Sequence, residues 1–274
     1  MMNLSFEKAK ASDVLKLKKL WAECFFEEQT PVDLFFACNA DSFSAYCVKD
    51  GDKVVSALYL LPAELNGKKA HYLCGASTCN EYRKQGIMGR LIEYALDDAR
   101  KNGDVYSVLF PANETLYSFY SKFGYTPECT AKRLSLTRGQ LETDSKNMSY
   151  EKPDFEQLQK ACFKNNFLLQ NNKFVEFAIR YYGFYAVKSV CSKNCFALIN
   201  ENDDCADVFY SIYNDFEELK ALLLENTTAN LFVFTGKTDN PILKNSIAEK
   251  CGMIKLLDEN FKIPKDVYIG ITLN

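Results

Sequence analysis

The sequence predicts a two-domain α/β protein whose chemistry lies in the first domain. Three observations support this. Short apolar runs bounded by turn residues alternate with segments of 3.6-residue apolar periodicity along the whole chain. Just before Ile87 a strand pattern gives way to a helical one across a glycine-containing turn. A polar stretch, residues 139–153, ends in Lys152-Pro153 and reads as a linker. With 274 residues, 47% of them hydrophobic, the chain can bury two cores. The expected domains are residues 1–138 and 150–274.

Residues 4–9 form a first strand. A helix over 11–26 follows, with Val14, Leu17, Leu20, Trp21 and Cys24 on one face and Ser12-Asp13 as its cap. Thr30-Pro31 opens a second, short helix. Strands at 44–49 and 53–61 flank Asp50-Gly51-Asp52, a hairpin signal, and Asn66-Gly67 marks the turn into a strand at 71–78. Ile87, Leu91, Ile92, Ala95, Leu96 and Ala99 line one face of a helix that stops at Lys101-Asn102-Gly103. A buried strand at 106–110, a helix at 113–123 ended by Gly124, and a strand at 131–136 complete the first part. The second part reads as helices at 154–167 and 172–182, then strands at 184–190, 195–200 and 207–212. A helix at 215–224 follows, then a strand at 231–234, a helix at 241–250, and strands at 253–257 and 267–273.

Composition narrows the function. The net charge of -3 requires no basic face, so no nucleic-acid partner is expected. None of the eleven cysteines forms a Cys-x-x-Cys pair, and His71 has no companion at ligand spacing, so no metal site is expected. Cysteines such as Cys24, Cys47, Cys74 and Cys195 sit in apolar segments and read as reduced thiols. The first residues lack a signal-peptide core, and no apolar run spans a bilayer. A cytoplasmic protein without a membrane partner is the expectation.

The most informative segment runs strand, turn, helix over residues 71–100. A helix N-terminus exposes unpaired amides and a partial positive charge, and a glycine lets the backbone approach a ligand. That combination suits a diphosphate. Arg83, Lys84 and Arg90 add charge beside it. Two glycines before a helix also describe an ordinary tight turn.

Residues 78–88, TCNEYRKQGIM, resemble motif A of the GNAT superfamily of acetyltransferases, with Arg83 and Gly86 at motif positions. Met88 stands where a small residue is usual, which resembles the "enhanced intracellular survival" (Eis) branch. Asn113, Tyr120 and Gly124-Tyr125 resemble the family's motif B, preceded by Pro111-Ala112 as in that branch. The resemblance covers residues 4–136; residues 150–274 resemble, more loosely, the branch's second, degenerate GNAT-like domain.

The resemblance implies a GNAT fold with a mixed central sheet and acetyl-CoA as co-substrate. Ala76, Ser77 and Thr78 would take the thioester and pantetheine where the fourth and fifth strands splay. Arg83, Lys84, Gln85, Gly86, Ile87, Met88 and Gly89 would hold the pyrophosphate, and Asn113 would touch the arm from the other side. The implied reaction is direct attack of a small-molecule primary amine, of aminoglycoside or polyamine type, on the thioester in a ternary complex. Tyr120, with Tyr117 as the fallback, would protonate the leaving thiolate. Glu27, Glu28 and Asp33 are candidates to take the amine's proton. In longer relatives a third domain's terminal carboxylate is proposed for that role; Asn274 ends a different domain here and does not inherit it. The alternative is a non-catalytic acyl-CoA-binding protein of the same fold. Oligomeric state is not legible. An internal echo reads either as a common strand–helix–Gly–strand unit or as a tandem pair of related domains: strand, Asn113, helix and Gly124 in the first half match strand, Asn240, helix and Gly252 in the second, with Ala248 in the place of Tyr120.

Overall fold

A computed structural model of the protein describes residues 3–39, 43–144 and 149–273. Its strands are β1 (Leu4–Lys8), β2 (Ser44–Asp50), β3 (Lys53–Leu65), β4 (Lys68–Thr78), β5 (Tyr106–Leu109), β6 (Thr130–Thr137), β7 (Leu168–Gln170), β8 (Lys188–Ser192), β9 (Cys195–Asn202), β10 (Cys205–Tyr213), β11 (Leu231–Gly236), β12 (Ala248–Lys250) and β13 (Met253–Leu256). Its α-helices are α1 (Val14–Phe25), α2 (Gln29–Asn39), α3 (Ile87–Lys101), α4 (Glu114–Ser121), α5 (Phe155–Cys162), α6 (Asn172–Gly183) and α7 (Phe216–Asn226). No described helix is long and apolar enough to cross a membrane.

Two compact units result. One comprises Met1–Pro127, Gly252–Ile263 and Leu273–Asn274; the other comprises Glu128–Cys251 and Pro264–Thr272. The chain therefore parts after Pro127 rather than in the polar stretch 139–153, of which residues 145–148 lie outside the described residues.

In the first unit the sheet runs β1-β2-β3-β4-β5-β13. All neighbours are antiparallel except β4 and β5. The apolar face predicted for α3 is buried as a set: Ile87, Leu91, Ile92, Ala95, Leu96 and Ala99 pack with Val48, Leu58, Leu73 and Leu109. Asp13 does not cap α1 through its side chain. Its carboxylate instead accepts from the Lys10 amide (2.9 Å) and pairs with Lys49 (2.8 Å), tying the chain before α1 to β2.

In the second unit the sheet runs β12-β6-β11-β10-β9-β8, and again one pair, β10 and β11, is parallel. Leu219, Leu222 and Leu223 of α7 pack on Val208, Phe232 and Phe234. Each parallel pair thus has a helix crossing between its strands, α3 in one unit and α7 in the other. The antiparallel strand beside each pair comes from a distant segment: β13 lies on β5, and β6 lies on β11.

The helix predicted over 154–167 stops at Cys162, ahead of the short strand β7, and three further predicted elements differ. The helix at 241–250 is a single 3-10 turn, Pro241–Leu243, followed by the edge strand β12 on β6. The turn has a real N-cap, since Asn240 accepts from the Ile242 amide at 3.1 Å. Lys244, Asn245 and Ser246 provide no apolar face to extend the helix, and Ile247 stays exposed. Residues 184–187 continue the end of α6 as a turn, with Ala186 in the left-handed region (φ 59°), so β8 begins only at Lys188. Residues 267–273 make isolated bridges from Val267 and Tyr268 rather than a strand.

Candidate active site

β4 and β5 pair in parallel only from Ala70↔Tyr106 to Leu73↔Leu109. β5 ends at Leu109, whereas β4 continues to Thr78. Residues 74–78 therefore present an edge with no strand on the β5 side. Gly75 makes the local bend possible. It is left-handed (φ +61°), and a Cβ there would lie 2.4 Å from Trp21 Cζ3 and 2.7 Å from Tyr59 Cδ2. The sequence reading did not single out this glycine.

The loop after β4 ends at an open helix mouth. Lys84 (φ 62°) and Gly86 (φ 73°) are both left-handed, a turn that aims successive amides at one concavity. Gly86 is the N-cap of α3 and has no side chain to satisfy the amides of Ile87, Met88 and Gly89. A Cβ on Gly86 would meet nothing within 4 Å, so the space in front of it is open. Gly89 answers a different need: a Cβ there would lie 2.7 Å from Phe123 Cζ, so this glycine lets α3 receive the Phe123 ring. The loop is braced from within. Gln85 Nε2 donates to Glu81 O at 2.9 Å. Arg83 Nε turns back to Thr78 O at 2.9 Å, and Arg90 stacks its guanidinium over Phe6, 4.4 Å from the ring centre.

One cavity of about 410 Å³ joins these features. Ala76, Ser77, Thr78, Arg83, Lys84, Gly86, Ile87, Met88, Gly89 and Tyr120 all line it. Gln85 and Asn113 do not. Asn113 caps α4, its Oδ1 accepting from the Leu116 amide (3.2 Å) and the Thr115 hydroxyl (2.6 Å). Ser77 Oγ is buried without a hydrogen-bond partner among the described residues, an unmet polar group on the cavity wall. Tyr120 is 7% exposed; burial, with a smaller push from Cys74, raises its hydroxyl pKa to about 12. Leu116 and Phe119 flank it on the cavity wall, while Tyr117 does not reach the lining.

None of Glu27, Glu28 and Asp33 lines this cavity, and no other described carboxylate does. Glu27 accepts from Trp21 Nε1 at 2.5 Å. Asp33 is tied to Lys18 Nζ (2.7 Å) and Gln29 Nε2 (2.9 Å), and its hydrogen bond from Lys18 holds its carboxyl below the ordinary range. The C-terminal Asn274 lies outside the described residues. Its neighbour Leu273 belongs to the first unit rather than the second, donating its amide to Tyr72 Oη at 3.3 Å.

A parted parallel pair facing an uncapped, glycine-led helix mouth is, in chemical terms, an arrangement able to receive an extended ligand with an anionic end. Residues 5–127 match the family model described as acetyltransferase (GNAT) domain. No curated protein matches the sequence. Among solved structures, the GCN5-related N-acetyltransferase of Anabaena variabilis is similar with a TM-score of 0.71 and 14% identity, covering 93% of this chain and 73% of that one. The GCN5-related N-acetyltransferase of Kribbella flavida is similar at 0.69 and 17%, over 93% and 71%. Eis1 of Mycobacterium abscessus is similar at 0.70 and 10%, over 93% and 74%. At such identities the likeness speaks for the fold.

Proposed function

We propose that the first unit transfers an acetyl group from acetyl-CoA to a primary amine of a small molecule, aminoglycoside- or polyamine-like, by direct attack in a ternary complex. The observation behind this reading is that one cavity runs from the open mouth of α3, along the unpaired edge of β4, to the Tyr120 side chain. Bound there, acetyl-CoA would supply the activated acyl group as a thioester. The amides after Gly86 would hold its diphosphate, and Lys84 would add charge. The backbone of Ala76, Ser77 and Thr78 would pair with the pantetheine amides in the place a neighbouring strand leaves free. Ser77 Oγ would gain the partner it lacks.

Tyr120 would donate to the thiolate as it leaves. A phenol held near 12 gives up its proton to a thiolate of ordinary pKa about 8.5 only at a cost of about 5 kcal/mol, so its role is that of a hydrogen-bond donor in the transition state. With no carboxylate on the cavity wall among the described residues, the amine would lose its proton to water before attack. For an alkylamine that costs about 4.6 kcal/mol at pH 7. Calorimetry with CoA followed by thiol release over an amine panel tests the reading. Saturable CoA binding with turnover of at least one amine is expected. CoA binding without any turnover would leave a non-catalytic acyl-CoA-binding protein as the better description.

A further inference from the structure

His71, the only histidine in the sequence, heads a buried chain of hydrogen bonds that the acetyl-transfer reading leaves unused. Its Nδ1 lies 2.6 Å from Asp104 Oδ2, and its Nε2 lies 2.7 Å from Ser107 Oγ. Ser107 Oγ in turn lies 2.5 Å from Tyr125 Oη. His71 is on β4 and Ser107 opposite it on β5, paired in register just before the two strands part. Tyr125 follows α4, and its ring meets that of Tyr120 edge-on, with centroids 5.9 Å apart. All four chain members are buried, and Ser107 is fully so.

The chain has a direction. Burial pushes the Asp104 carboxyl up, but the hydrogen bond from His71 and the nearby Lys69 ammonium outweigh it and hold it below the ordinary range. Lys69 Nζ is 2.8 Å from Asp104 Oδ1, off the line of a good hydrogen bond, so that pair is chiefly electrostatic. An ionised Asp104 accepts a hydrogen bond from the Nδ1–H of a neutral His71, which leaves Nε2 as an acceptor. Ser107 then donates to Nε2, and its oxygen accepts from Tyr125. A protonated His71 donates from both nitrogens. Ser107 must then turn its own proton toward Tyr125, whose hydroxyl loses its acceptor.

His71 and Asp104 line a surface cavity of about 310 Å³, so solvent reaches the head of the chain. The other charged or titratable groups there are Lys8 from β1, Tyr46 from β2 and Lys69 from β4. Tyr46 donates to Asp98 of α3 at 2.6 Å. We propose that His71, Ser107 and Tyr125 are positioning residues that set the orientation of Tyr120, and that protonating His71 releases it. The proposal rests on Tyr120 serving as the donor to the leaving thiolate.

Its test has two arms on the full chain. In the first, tyrosine rings are ¹³C-labelled, Tyr120 is assigned with Tyr120→Phe, and pH is lowered while the single imidazole is followed by NMR. The Tyr120 ring signals are expected to move in step with the imidazole in the parent protein and to lose that step in Tyr125→Phe and in Asp104→Asn. Tyr120 signals that ignore the imidazole titration would overturn the proposal without any reference to turnover.

The second arm follows kcat against pH with acetyl-CoA and an amine acceptor. Tyr125→Phe is expected to lower kcat about 3- to 10-fold, the worth of one buried hydrogen bond, and to remove the acid step, with CoA affinity within about twofold. Parent-like kcat and an intact acid step in Tyr125→Phe would also overturn it. If the ring signals are coupled but no amine is acetylated, the role given to Tyr120 fails while the chain stands.

Discussion

The two units carry the same device, a helix entering between parallel strands, but end it differently. At the mouth of α3 stands Gly86, with no side chain to occupy the amides and open space ahead. At the mouth of α7 stands Asp215, whose own carboxylate accepts from the Glu217 amide at 2.9 Å, and Glu217 and Glu218 add negative charge to the first turn. The strand gaps differ in the same sense. Beyond Leu73 the edge of β4 faces a cavity with the Ser77 hydroxyl unmet. Beyond Val208, at the end of β10, the Tyr213 hydroxyl is bonded to the Asn240 side chain at 3.0 Å. A helix N-terminus binds anions only if nothing in the chain has already satisfied it. In the second unit the same architecture has its helix mouth and strand end satisfied by the chain's own groups.

Transferring the plug tests this contrast most severely. Gly86→Asp should weaken CoA binding roughly 100-fold, equivalent to about 2.7 kcal/mol, because a carboxylate would stand where the diphosphate belongs. The accompanying loss of stability should be about 1 kcal/mol, since aspartate tolerates the left-handed region better than most residues. Next in size, Tyr120→Phe should lower kcat about 10- to 100-fold with CoA affinity nearly unchanged; parallel losses of both would assign Tyr120 a packing role.

For an alkylamine acceptor, kcat/KM should rise about tenfold per pH unit up to the amine's own pKa, because only the free base attacks and no carboxylate among the described residues lines the wall to take its proton. A plateau well below that pKa would reveal a general base. Gly89→Ala should cost about 1–3 kcal/mol in denaturant melts through its clash with Phe123. Phe123→Ala in the same chain should recover part of that loss, with CoA affinity largely kept. The smallest effect is expected on the other side of the comparison. Asp215→Ala should cost about 1 kcal/mol, the worth of one N-cap, and the CoA stoichiometry should remain one.

Much of the site is legible from sequence because it is local. The α3 face, the loop before it and the stop at Asn102-Gly103 are set by residues within a few positions of one another, and all appear in the structure as read. What was not legible depends on distant partners. Nothing in the alternation of residues 130–137 says that this strand pairs with β11, or that β13 returns to β5; pairing partner is a property of the whole sheet. The same holds for Gly75, whose need is created by Trp21 and Tyr59, and for Gly89, whose need is created by Phe123. Asn113 illustrates a residue type with two uses: the motif suggested ligand contact, and the side chain is spent on the cap of α4. The helix predicted at 241–250 is capped by Asn240 but has no apolar face to continue it.

The most direct test is an amide NMR titration of the full chain with CoA. Shifts are expected to be largest at Lys84 to Gly89 and along Ala76 to Thr78, with the Phe216 to Glu218 amides unmoved. Saturation by CoA that leaves the Ile87, Met88 and Gly89 amides unperturbed would contradict the account.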